Sequence, residues 1–162
     1  MSATPFAFSL HKPAPRGWVA MLSDGDQEAI VTASDIPSEP LLPLLWAVRL
    51  LLLGTSDTRC SWWEEPGEYR WLFSRQDDKL SIHILWFKNT ATNQSDEQGK
   101  TVLRMECDLL AFAKRLLQQL NQLSYHEKRP AVPPQDCQLF QETLSAYEQG
   151  KRRKERTETP KA

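Results

Sequence analysis

Residues 61–71 read Ser-Trp-Trp-Glu-Glu-Pro-Gly-Glu-Tyr-Arg-Trp and contain the clearest structural signal in the chain. Aromatic residues favour β-strands, and Pro followed by Gly favours a type II turn, because Pro fixes the first φ and Gly accepts a positive second φ. A β-hairpin with its turn at Glu65–Glu68 is therefore predicted. With the Asp77-Asp78 turn that follows, the pattern predicts three antiparallel strands, Thr58–Glu64, Tyr69–Arg75 and Lys79–Lys88.

These strands are predicted to form a sheet with two different faces, because successive side chains of a strand point to opposite sides. The turns imply a register in which Trp62 pairs with Trp71 and Phe73 pairs with Ile82. The face expected to join the core carries Cys60, Trp62, Tyr69, Trp71, Phe73, Ile82, Ile84 and Trp86. The opposite face carries Ser61, Trp63, Arg70, Leu72, Ser74, Ser81, His83, Leu85 and Phe87.

Further short strands are predicted on both sides of this hairpin. Alternating apolar residues and an Asp-Gly turn place three of them before it, at Phe6–Leu10, Trp18–Leu22 and Glu28–Ala33. Another follows at Thr101–Cys107. All of these strands are expected to join one antiparallel meander sheet.

Three helices complete the predicted fold. The segment Leu41–Leu53 is apolar nearly all round and predicts a well-covered first helix. Asp108 is the predicted cap of an amphipathic second helix that ends near Tyr125, and a weaker third helix is expected to end near Gly150. The prediction is a two-layer α+β fold, with a meander sheet of about six or seven strands, two main helices on one face and a weaker C-terminal helix.

Length and charge predict one globular domain followed by a tail. The 162 residues are assigned to a domain at 1–150 and a basic, disordered tail at 151–162, which holds six of the 20 basic and two of the 21 acidic residues. The domain keeps 14 basic and 19 acidic residues, a net charge of −5 that argues against specific nucleic-acid binding. The long apolar segment is too short for a membrane span and contains Arg49. The three widely spaced cysteines fit no disulfide framework and indicate the cytoplasm.

The sequence contains no motif of a catalytic, cofactor or metal site. His11, His83 and His126 have no second His or Cys at ligand spacing, and no glycine-rich phosphate loop is found. An enzyme would have to use Cys60 or Cys107 with His83 near a pocket between the first helix and the sheet, but no orienting acid or oxyanion loop accompanies them. A binding protein without catalytic activity, cofactor or metal is therefore predicted.

The sheet face opposite the core is the predicted binding site, because it mixes aromatic, aliphatic and Arg side chains as protein interfaces do. The acidic residues at the hairpin tip would form its rim and suit a basic partner. The predicted partner-binding residues are Trp63, Glu64, Glu65, Glu68, Arg70, Leu72, His83, Leu85 and Phe87. In the alternative arrangement, the third helix or the N-terminal strand folds across this face and hides it.

The Trp-rich stretch Ser61–Trp71 and the strand residues Ile82–Phe87 resemble a group of small uncharacterised bacterial proteins. More loosely, the chain from about Leu41 to Tyr125 resembles the immunity proteins of polymorphic toxin systems. This resemblance implies a cytoplasmic protein that binds and neutralises a cognate toxin domain. The alternative is an adaptor or regulatory subunit of a larger bacterial complex that docks through the same face or the third helix.

Overall fold

Two antiparallel sheets and three helices make up the described residues 5–13, 17–34, 39–90 and 94–158 of the computed structural model. The first sheet has the order β1 (Ala7–His11), β2 (Trp18–Ser23), β3 (Glu28–Ala33). The second has the order β4 (Asp57–Glu64), β5 (Gly67–Gln76), β6 (Lys79–Phe87), β7 (Lys100–Asp108). The helices are α1 (Leu41–Leu52), α2 (Leu109–Glu127) and α3 (Pro134–Glu158). The α+β class is confirmed, whereas the single meander sheet is wrong.

The two sheets are separate because β3 crosses the second sheet instead of pairing with its edge. Near one end of β3, the Gln27 side chain donates to the carbonyl oxygen of Arg104 in β7. Beyond the other end, the backbone N–H of Ser34 donates to the carbonyl of Trp63 in β4 at 2.8 Å. Strands β4 and β7 are the two edges of the sheet. Six strand residues span about 20 Å and four paired strands about 14 Å, so β3 can reach from edge to edge.

The register of the central hairpins agrees with the predicted faces. Between β5 and β6, Phe73 pairs with Ile82, as predicted. Between β4 and β5 the register differs by two residues, since Trp62 pairs with Tyr69. A shift of two residues leaves every side chain on its predicted face, because side chains alternate with a period of two.

The register shift comes from the turn, which is shorter than predicted. Glu64 already pairs with Gly67, so only Glu65 and Pro66 connect the strands, and their peptide bond is cis. A type II turn needs a positive φ at its third position, which Pro66 occupies with a fixed negative φ, so the predicted type II turn is wrong. Glycine is required at position 67 for close packing instead: a Cβ there would lie 2.7 Å from the carbonyl oxygen of Phe87.

The core lies between the two sheets and the first two helices. Phe112 of α2 connects the sheets, since its ring lies 5.0 Å from that of Phe8 in β1 and 6.4 Å from that of Phe73 in β5. Asp108 caps α2 as predicted, accepting a hydrogen bond from Ala111 N at 2.9 Å. The buried side chains of β4–β7 on this side include Cys60, Trp62, Trp71, Phe73, Ile82 and Ile84.

Helix α3 packs against α1 and α2 and is longer than expected. It continues beyond Gly150 to Glu158, and residues 152–158 are exposed to solvent. Lys151 still contacts the domain, with its ammonium 3.4 Å from a carboxylate oxygen of Asp108. The tail was expected to begin at residue 151, but its described part is helical; residues 159–162 lie outside the described residues. No helix in the described ranges is both long and apolar enough to cross a membrane.

Replacing Phe112 by Ala is expected to lower the free energy of unfolding by about 3–5 kcal/mol, because it leaves a cavity where both sheets meet. Tyr125→Ala, an exposed position on the same helix, is the control and should change stability by no more than about 0.5 kcal/mol. Urea unfolding followed by circular dichroism measures both values. A similar small loss in both variants would show that Phe112 does not join the sheets.

Candidate functional site

The second face of the four-stranded sheet, which points away from the core, is named here the outer face. The strand register places the predicted side chains of β4, β5 and β6 on it. The same alternation adds Arg59 of β4 and Glu68 of β5, and the pairing of β6 with β7 adds Arg104 and Glu106. The alternation of side chains along the sequence also indicates that Arg59 and Arg104 belong to this face. They are absent from the predicted face because that prediction covers only part of β4 and none of β7.

One end of the outer face is covered by residues 94–99 of the connection between β6 and β7. Leu85, Phe87 and Arg70 are buried there. The guanidinium of Arg70 lies over the Phe87 ring, 4.1 Å from its centroid. Gly99 closes the connection onto the same ring, since a Cβ on it would be only 2.6 Å from Phe87 Cζ. Neither α3 nor the N-terminal strand β1 covers this end. The alternative arrangement, in which one of them folds across the face, is therefore wrong.

A buried ion pair holds this cover in place. Arg70 Nη2 lies 3.2 Å from Glu68 Oε1, and Ser61 Oγ donates to Glu68 Oε2 at 2.6 Å. On its other side, Arg70 Nη1 lies 2.8 Å from Asp96 Oδ1 and 3.1 Å from the carbonyl oxygen of Gln94. Arg59 Nη2 reaches the same Asp96 oxygen at 2.9 Å. The cover is therefore tied to β4 and β5 through the Asp96 carboxylate.

These contacts shift the protonation equilibria of the charged groups. Burial acts to lower the pKa of Arg70, but its hydrogen bonds to Glu68 and Asp96 outweigh burial and the pKa is raised. The hydrogen bond from Arg70 is the main cause that lowers the pKa of Asp96, with a further contribution from Arg59. Both groups therefore stay charged across the neutral range.

The predicted acidic rim is only partly formed. Glu65 is exposed and Glu64 is half-buried at the hairpin tip, but Glu68 is buried against Arg70. Trp63 is half-buried, with its carbonyl oxygen bonded to Ser34. Four of the predicted partner-binding residues are thus buried in this structure, namely Glu68, Arg70, Leu85 and Phe87. The others are half-buried or exposed: Trp63, Glu64, Glu65, Leu72 and His83.

At the other end of the outer face, none of the described elements lies over the sheet; this end is named the open patch. Leu72 and His83 are neighbours across β5 and β6 and are both half-buried. The exposed residues Arg59 and Arg104 lie in the same row on the two outer strands. His83 Nε2 is 2.9 Å from Thr101 Oγ1, and the pKa of its imidazole is lowered by burial and then by the charge of Arg104. The open patch therefore has a neutral centre between two guanidinium groups.

The geometry separates the groups that an enzyme would have to bring together. Cys60 and Cys107 point to the core face, whereas His83 lies on the outer face. Burial raises the pKa of Cys60 well above its usual range and that of Cys107 to about 12. Their thiols are therefore protonated at neutral pH and have no contact with His83. Within the described ranges, no group of three or more His, Cys, Asp or Glu side chains could hold a metal ion.

Replacing Arg70 by Met is expected to lower the unfolding free energy by about 3 kcal/mol or more, because the buried Glu68 side chain loses its ion-pair partner. Arg59→Met is the matched control, since Arg59 also pairs with Asp96 but is largely exposed, and it should cost under about 1 kcal/mol. The measurement is urea unfolding at neutral pH. Equal losses in the two variants would contradict a buried ion pair.

The Asp96→Asn variant is expected to lose about 1 kcal/mol of stability at neutral pH, a small value because solvent screens the half-exposed carboxylate. The folded-state pKa of Asp96 lies below its ordinary value of 3.8. Its contribution is therefore present above that value and disappears as the pH falls through the folded pKa. Unfolding curves at neutral and strongly acidic pH should show the gap between variant and wild type closing in acid. A gap that is independent of pH would contradict the role given to this carboxylate.

No protein-family model matches the chain, and comparison with curated proteins and with solved structures finds no similar protein.

Proposed function

We propose that this protein binds a partner protein through the open part of the outer face and acts as an immunity-type inhibitor of a bacterial toxin domain. The observation that carries the proposal is the row formed by Leu72 and His83 between Arg59 and Arg104, over which no described element lies. An aliphatic centre flanked by arginines is a composition that protein interfaces favour.

The neighbouring buried network would hold this surface in place before a partner arrives. Arg70 receives contacts from Glu68, Asp96 and Phe87, so β5 is fixed directly beside the patch. A preorganised surface loses less conformational entropy on binding than a flexible one. The buried residues Leu85 and Phe87 thus contribute by supporting the surface, and the contacts are assigned to Trp63, Leu72 and His83 with the two arginines.

The charges on and around the patch favour a partner whose binding surface carries both acidic and basic residues. The open patch carries Arg59 and Arg104, while Glu64 and Glu65 lie at the hairpin tip and Glu106 pairs with Lys79 at the other end. The domain as a whole carries a net charge of −5 over residues 1–150. Long-range attraction would accelerate the encounter with a basic toxin domain, and the local arginines would select the docking orientation.

Two substitutions test the surface. Leu72→Arg and Arg104→Glu should each weaken binding of the partner about 30-fold or more, as loss of about 2 kcal/mol at a central contact does. Both positions are accessible to solvent, so the unfolding free energy should change little. Ile30→Arg, on an exposed position of β3, is the control. Tagged wild type and variants are used to recover partners from the native host, and affinities are then measured with the purified partner.

The identity of the partner decides between the two kinds of binding protein. If the partner is a toxin domain, its expression alone should arrest growth, and co-expression of the wild type but not of Leu72→Arg should restore it. Recovery of a housekeeping complex whose components are not toxic would refute the inhibitor function and support the adaptor function. Unchanged partner binding in both face variants would refute the outer face as the site.

A further inference from the structure

Helix α1 exposes an apolar stripe on the side that faces away from the core. Trp46 is 54% and Leu50 46% exposed, and Leu53, which caps the C-terminal end of the helix, is 58% exposed. Their spacing of four and three residues places them along one side of the helix. The only charged residue of α1 is Arg49. An exposed apolar patch that extends over adjacent helical turns is a candidate contact surface for another molecule.

Helix α3 extends this apolar surface. It runs alongside α1, since Trp46 Nε1 donates to Asp136 Oδ1 at 3.0 Å and Arg49 Nε donates to Thr143 Oγ1 at 3.0 Å. Leu139 of α3 is 43% exposed, and Ala146, two turns further on, is exposed on the same side. The surface is named the α1/α3 face and consists of Trp46, Leu50, Leu53, Leu139 and Ala146.

The charges of α3 are divided along its length. The first part, from residue 134 to 149, carries three acidic residues, Asp136, Glu142 and Glu148, and no basic one. The part from 150 to 158 carries five basic residues, Lys151, Arg152, Arg153, Lys154 and Arg156, against two acidic ones. Residues 152–158 are exposed. Two such helices repel each other side by side in parallel, but attract each other when antiparallel, because each acidic half then meets a basic half.

We infer that the α1/α3 face binds a second copy of this chain, with the two α3 helices antiparallel across a two-fold axis near Ala146. Glu142 and Arg153 lie on the same side of α3 as Leu139, at spacings of 3 and 14 residues. An antiparallel crossing near Ala146 brings Glu142 of each copy close to Arg153 of the other. The apolar stripe is covered in the same contact.

Self-complementarity favours a second copy over an unrelated protein. A two-fold interface uses one patch on both molecules and requires that the patch contain both members of each charge pair. The α1/α3 face and the adjoining end of α3 meet this requirement. Gly150 is consistent with it, because nothing lies within 4 Å of a Cβ built there and no neighbour within the chain requires a glycine. The surface is separate from the outer face, so the inference is independent of the proposed function.

Sedimentation equilibrium of the full chain tests the inference. Wild type should behave as a dimer, about twice the 18.7 kDa of one chain. Leu50→Asp should sediment as a monomer, whereas Ile30→Asp, at a position 53% exposed on β3, should remain dimeric. Circular dichroism confirms that each variant is folded. A monomeric wild type, or a dimer that survives Leu50→Asp, would overturn the inference.

A charge exchange tests the antiparallel arrangement. Glu142→Lys and Arg153→Glu should each weaken self-association at least tenfold, because each places like charges opposite one another at both ends of the interface. Mixing the two variants should restore a dimer of mixed composition, which native mass spectrometry detects when one variant carries a tag. Dimerisation that is insensitive to either exchange, or variants that fail to associate on mixing, would refute the pairing of Glu142 with Arg153.

Discussion

The buried ion pair of Glu68 and Arg70 sets the arrangement of the four-stranded sheet. Strand β5 is central, and its core side is filled by Trp71 and Phe73. On the other side of the sheet, Leu85 and Phe87 of β6 would be exposed. Arg70 instead lies over Phe87 and pairs with Asp96, so the turn at Asp96 packs against this end. A guanidinium with carboxylates on two sides can be buried, because each lost contact with water is replaced by a charged hydrogen bond. The described elements thereby cover both faces of the sheet at one end and only the core face at the other.

This asymmetry gives the domain the surface that is proposed to bind a partner. Had the connection between β6 and β7 extended over the whole outer face, Leu72 and His83 would be core residues. Had it been a short turn, Phe87 and Leu85 would be exposed, and a large apolar area of that kind favours aggregation as much as specific binding. The observed connection leaves a small patch of apolar and charged side chains beside the buried Glu68–Arg70 ion pair.

Local features were predictable from the sequence and long-range ones were not. Alternation along β4–β6 assigned the faces correctly, and the Asp108 cap of α2 was visible because both signals act over a few residues. The crossing of β3 was hidden, since Gln27 and Ser34 bond to backbone carbonyls, which leave no mark in the residue pattern. The burial of Arg70 could not be predicted for a similar reason. Gln94 and Asp96 are polar residues typical of a solvated loop, and only the folded structure shows that they contact Arg70. The pairing of α1 with α3 likewise depends on tertiary contacts.

The bonds from Gln27 and Ser34 to the two outer strands also restrict how other chains can attach. Exposed sheet edges invite strand addition, by which partners or further copies extend a sheet through backbone hydrogen bonds. Here the carbonyl of Arg104 at one edge and that of Trp63 at the other are already occupied by groups that flank β3. A strand added along either edge would have to displace one of these bonds. Attachment of another chain through side-chain surfaces would leave both bonds intact, whereas extension of the sheet at either edge would break one of them.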